Sequence, residues 1–280
     1  MTMICTPRQH VARSVSVPSI ATMFSGLVFA ASVCVAQVPA AISAMAANEV
    51  ASRQHAGHFA YTAEERSDRT GGHLWREHVV EVGDGMLRRL VAVDGNPLTA
   101  QQAAAEEQRL QALVANPEEY RRQGQAHKDD ELHAARLLQL LPRAFLITSE
   151  GMQGDCRVFR FVPDPKFQPS TYEERVGAAM AGTVSVMEPA ERLCTLQATI
   201  SHPVTFGFGL IGKVEQGGNF RLERAPVKGA EWKTRSMSVH MGGKILMLKS
   251  LTKQQETVRT EIRPLGDTLT LPQGAGLLLP

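Results

Sequence analysis

Apolar and polar residues alternate along most of this chain, and the stretches where they do not are as informative as those where they do. Phe59, Tyr61 and Ala63 fall on one face at a spacing of two, the pattern of a half-buried strand. Two more such runs follow, over 72–82 and 86–95. Gly83-Asp84-Gly85 between them predicts a hairpin, and Asp94-Gly95-Asn96-Pro97 ends the third strand. The spacing then lengthens. Thr99 and Gln102 form a capping box, with Leu98 and Ala103 as its hydrophobic staple, ahead of a run rich in Ala, Gln, Glu and Leu. Asn116-Pro117-Glu118-Glu119 starts a second helix with a cap residue, a first-turn proline and acids that suit the dipole. Its polar middle, weakened by Gly124 and "HKDDE", gives way to the apolar stripe "LHAARLLQLL" before Pro142. From Phe145 the short period returns in about eight runs, separated by turn residues such as Gly151–Gly154, Glu188-Pro189, Gly217-Gly218 and Gly242-Gly243.

Three strands, two helices and then a long meander cannot make a parallel α/β core, because the helices do not alternate with the strands. The expected class is α+β: a large curved antiparallel sheet, a half-barrel, with the helical insertion packed on its concave face. One domain over 47–265 accommodates this layout. The stretch 266–280, punctuated by Gly and Pro, is expected to fray.

The first residues read as an address. Arg8 and Arg13 are the only charges before Glu49, and between them and it lies the apolar run 20–36 followed by "AAISAMAA". A basic start, an apolar centre and a small-residue site make a secretory signal over 1–46, with cleavage after Ala46, or after Ala36 as the second choice. The chain is therefore expected in the periplasm; an uncleaved N-terminal anchor in the inner membrane is the alternative. Cys34 follows Val33 and lacks the leucine of a lipidation site. Removing 1–46 takes the basic residues from 30 to 28 against 28 acids, so the remaining chain is near neutral and has no electrostatic case for nucleic acid. Cys156 and Cys194 are then the only cysteines, and both a disulfide and two buried thiols are compatible with their strand-like settings.

One stretch spells a nucleotide loop: "TFGFGLIGKV", with Gly207, Gly209 and Gly212. A dinucleotide site needs those glycines to open a helix, yet a strand, a Gly-Gly turn and another strand follow. The kinase version needs H-R-D and D-F-G elements that are not present. No nucleotide is expected. The same residues read better as an apolar strand with a kink, or as a deformable wall of a cavity lined by Phe206, Phe208, Leu210, Ile211 and Trp232. The histidines (His55 and His58, His73 and His78, His127 and His133) lack metal-ligand spacing. Neither a nucleophile motif nor a cooperating acid pair is found, so no enzymatic activity, metal or cofactor is expected.

"RLVAVDGNPLT" before the helices, the strand–turn–strand "MAGTVSVMEPAERLCTLQA" and the hairpin "EWKTRSMSVHMGGKILMLKS" resemble segments of bacterial exported proteins. With the order of elements, they make the chain similar to the LolA/LolB-like lipoprotein carriers and RseB-type periplasmic sensors. That resemblance implies a half-barrel around helices, with acyl chains held in the apolar space between them. It carries over no individual residue. The implied partners are a hydrophobic ligand or a lipidated protein, with an envelope protein as a further partner. The alternative is a structural or interaction module with a filled core.

Overall fold

A computed structural model describes residues 38–52, 57–83, 85–206, 212–228, 231–245, 253–266 and 269–279. In chain order the elements are α1 (Ala40–Ala51), β1 (Phe59–Ser67), β2 (Trp75–Val82), β3 (Gly85–Val93), β4 (Asn96–Pro97), α2 (Ala100–Ala115), α3 (Pro117–Leu138) and α4 (Leu141–Ala144). Then follow β5 (Phe145–Gln153), β6 (Cys156–Pro163), α5 (Tyr172–Gly177), β7 (Met180–Met187), β8 (Arg192–Ile200), β9 (Val204–Phe206) and β10 (Gly212–Val214). The chain ends with β11 (Asn219–Lys228), β12 (Glu231–Met241), β13 (Gly243–Ile245), β14 (Lys253–Pro264) and α6 (Leu271–Gly276).

Eleven strands form one antiparallel sheet in the order β4-β3-β2-β1-β14-β12-β11-β8-β7-β6-β5. The sheet is half-barrel-like and does not close: β14 joins the N-terminal meander to the C-terminal one, and β4 and β5 remain as edges. The protein is α+β, as the pattern of periods requires. Turn chemistry fixes the register at its start. Val93 pairs with Asn96 across Asp94-Gly95, and both turn residues hold positive φ (49° and 81°), a conformation the Asp-Gly pair accepts readily.

Register assigns the faces. Residues opposite one another on adjacent strands share a side of the sheet. Glu65, Thr257, Met237, Leu222, Leu196, Val184 and Phe159 therefore form a single row across seven strands. A second row on the same face runs Ser67, Gln255, Val239, Phe220, Ala198, Gly182, Phe161. Both rows begin charged or polar at β1 and end apolar at β6. We call this the inner face.

The helices divide between the two faces. α2 and α6 cover the opposite side of β1–β3, where Leu110, Leu113, Ala275 and Leu278 bury Ala60, Val80, Val82 and Leu87. α3 starts at the β2–β3 turn, with the Tyr120 hydroxyl donating to the Val82 carbonyl at 2.7 Å. It runs on through Gly124 without a break. Its C-terminal end, with α4 and α1, packs on the apolar end of the inner face: Leu138, Leu140, Leu141, Ile42 and Met45 against Phe145, Phe159, Phe161, Val184, Val186 and Leu193. The helical insertion thus straddles the sheet instead of lying wholly inside it.

Three further features differ from what the pattern suggested. The small-residue stretch read as the tail of the signal forms α1, with Ile42, Met45 and Glu49 fully buried. The stretch expected to fray contains α6, closed by a capping box between Thr270 and Gln273 and seated against β2. Its Gly274 lies so close that a Cβ there would come within 2.4 Å of Val82 Cγ2. The hairpin partner expected for β12 instead forms β13, which joins β9 and β10 in a separate three-stranded sheet. Cys156 and Cys194 are bridged, tying the start of β6 to β8 over the end of β7.

Candidate functional site: an apolar cavity under α3 and α4

Where the Leu-rich end of α3 and the turn into α4 lie over the inner face, they leave a cavity of about 160 Å³. Its floor is the period-two face of β8 and β11, with Leu196, Ala198, Phe220 and Leu222, joined by Phe161 of β6. Its roof comes from Ala134, Leu137, Leu138, Leu140 and Leu141, with Phe145 at one side. Met180, Gly177 and Met241 complete the wall. Among the described residues no lining side chain carries a hydroxyl, amide or charge. Phe145 and Phe161 meet edge to face with ring centres 5.0 Å apart, which fixes both rings. An apolar space of this size stays dry and accepts an apolar guest: an engineered cavity of about 150 Å³ holds benzene.

Leu137 and Leu140 also line a second space of about 290 Å³, with Gln139, Arg143, Thr171, Glu173 and Glu174. The two spaces share these leucines as a common wall. Leu137 is 43% exposed, so one of the two stands at the mouth. Gly177 leaves them room: a Cβ on it would approach Leu140 Cδ1 to 2.7 Å and Leu137 Cδ2 to 3.2 Å. In this second space, hydrogen bonds from the Ser170 hydroxyl and backbone N–H, together with Arg143, lower the Glu174 carboxyl to about 2. Glu174 is thus a fixed negative charge at any physiological pH.

The other end of the inner face holds a polar space of about 440 Å³ between β1, β3, β14 and the Gln123–His127 stretch of α3. Two buried carboxylates, Glu65 and Glu77, share Arg69, and Arg88 donates to Glu77 at 2.7 Å. Burial pushes the Glu65 carboxyl up, but hydrogen bonds from Arg69 and Ser67 outweigh it and hold the group below the ordinary carboxylate range. An acid–base pair needs one carboxyl kept protonated near neutrality. Glu65 is held in the opposite state, and its partners are cations already engaged with it. This cluster reads as an anchor for the sheet's polar end. Among the described residues no group of three or more His, Cys, Asp or Glu is placed to hold a metal ion.

The residues singled out from the sequence lie elsewhere or outside the description. Phe208, Leu210 and Ile211 fall outside the described residues, as do Gly207 and Gly209. Phe206 ends β9, and its side chain is not among those described. Gly212 opens strand β10 and pairs with Phe206, so the element after the glycine motif is a strand and not a helix. Trp232 is buried, but not in the cavity: the Arg192 guanidinium sits 5.8 Å from its ring centre and Arg224 donates to its carbonyl. It belongs to a buried ionic group in which Glu49 of α1 accepts from Arg192 at 2.8 Å, from the Leu193 N–H at 3.2 Å and from Arg224. The floor of this cavity was visible as alternating apolar positions in two strands, and its roof as the stripe in "LHAARLLQLL". What no local pattern supplies is that these elements face one another.

No protein-family model matches this chain, and no curated protein matches it.

Proposed function

We propose that the protein is an exported, non-enzymatic carrier or receptor that holds the apolar portion of a ligand under α3 and α4. The ligand would be an acyl or alkyl chain, free or attached to a lipidated protein. The observation that supports this reading is the lining of the cavity: among the described residues it is apolar throughout, while the neighbouring space across Leu137 and Leu140 is polar. Burial of six methylenes, about what such a volume takes, is worth about 5 kcal/mol before the cost of fixing the ligand is set against it, so a short chain alone would bind weakly. Tighter binding requires α3 and α4 to move off the sheet and lengthen the cavity, by selection of a more open state. The disulfide and the N-terminal signal pattern both suit the periplasm, the compartment proposed here. No helix among the described residues is long and apolar enough to cross a membrane.

A fluorescent fatty acid should bind delipidated protein saturably and at one equivalent per chain. Leu222→Phe, which adds volume to the floor, should weaken uptake at least about tenfold while leaving the unfolding midpoint unchanged or higher, since the added ring atoms enter existing empty space. Non-saturable uptake, or uptake indifferent to this substitution, would favour the filled structural module over the carrier.

A further inference from the structure

The N-terminal pattern offers two cleavage sites, after Ala46 and after Ala36, and the fold discriminates between them. α1 spans Ala40–Ala51, so a cut after Ala46 would fall inside it. The part removed carries Ile42 and Met45, both with no exposed surface and both in the core that also holds Phe145, Phe161 and Val184. Val38 packs against the same core. The part left, Ala47–Ala51, is too short to persist as a helix without its partners. It carries Glu49, the buried carboxylate on which Arg192 and Arg224 converge. Losing the helix would leave two largely buried guanidinium groups without that counter-charge, among the most costly changes a fold can suffer. Upstream, Cys34-Val35-Ala36 offers small residues at both positions a signal-cleaving enzyme reads.

We infer that the exported chain is processed between Ala36 and Gln37, and that α1 is part of the mature protein. The inference rests on the export reading above. The reaction is hydrolysis of one amide by an envelope signal peptidase: water adds across the Ala36–Gln37 bond, its oxygen going to the new Ala36 carboxylate and a proton to the new Gln37 amine.

The full-length chain, produced in a bacterium with an intact envelope, is recovered by fractionation and its N-terminus read by intact mass and peptide mapping. A periplasmic chain beginning at Gln37, or at its pyroglutamyl form, is the expected result. A periplasmic chain beginning at Ala47 would overturn the inference while leaving export standing. An uncut chain would overturn the inference together with the cleaved-leader reading, and its membrane or cytoplasmic fraction would show whether export itself fails. In parallel, oxidised chains starting at Gln37 and at Ala47 are unfolded in urea. The first should match the exported protein, and the second should lose at least about 1 M in midpoint or fail to fold. Equal midpoints would remove the structural argument.

Discussion

Glu49 shows how much one residue can hold. Its carboxylate is fully buried and binds two arginines from β8 and β11 together with a backbone N–H, joining α1 to the sheet. Glu49→Ala should therefore cost about 3–5 kcal/mol in urea unfolding, because it removes the buried carboxylate on which two largely buried cations converge; a cost under 1 kcal/mol would show that α1 is not anchored this way. Gly182 is the second such position. A Cβ there would lie 1.9 Å from the Gln197 carbonyl oxygen, backbone that cannot step aside, so Gly182→Ala should destabilise by about 3 kcal/mol or more. Acid acts through the same scale. Glu65 and Glu174 have lowered carboxyl values in the fold, so each contributes stability that is fully present above the ordinary value of 4.5 and lost as the pH falls through the lowered one. For Glu174 that window runs from about 4.5 down to about 2. Urea midpoints should be flat above pH 5 and fall below 4.5, and Glu174→Gln should make the fall shallower. Neither Glu49 nor Gly182 stands out in the sequence, since burial of a lone glutamate and close approach to a lone glycine are set by distant strands.

Among the elements, the strands were the most legible. Alternation in "FAYTAEERS" and "RLCTLQATI" appears directly as β1 and β8, and the Thr99 capping box starts α2 where the pattern places it. α1 was not legible, because alanines and serines that suit a cleavage site suit a helix equally well. Only Ile42, Met45 and Glu49, spaced three and four apart, betray its buried stripe. α6 was hidden by Pro272, Gly274 and Gly276, residues that usually break helices; tertiary contact with β2 and β3 holds it instead. The disulfide was open in the sequence because no pattern gives the distance between β6 and β8. Closing a loop of 38 residues, it should contribute about 4 kcal/mol. A Cys156→Ser, Cys194→Ser double variant should lose most of that in urea unfolding; a loss near zero would mean that the β6–β8 corner is held by its packing alone.

For the molecule as a whole, the central feature is the gradient on the inner face, from Glu65, Ser67 and Gln255 at one end to Phe159 and Phe161 at the other. α3 matches it, with Gln123 and His127 over the polar end and its leucines over the apolar end. The sequence conveyed both periodicities, and hence the class of fold, but not the cavity: its walls come from α3, α4, α5 and six strands, and no window of sequence contains them. The expectation that placed a lining at Phe206–Ile211 followed the uncharged run from Pro203 to Gly212, most of whose apolar residues lie outside the described residues. The cavity under α3 and α4 takes its floor from alternate residues of β8 and β11, whose other faces carry Thr195, Gln197, Arg221 and Glu223. The position of a bound chain decides between a carrier and a filled module. A fatty acid carrying an alkyl diazirine, photolysed on the exported protein and mapped by peptide mass spectrometry, should label residues within 134–145, 192–200 and 219–228, and Leu222→Phe should abolish that labelling. Labelling confined to other segments, or unchanged in the variant, would contradict it.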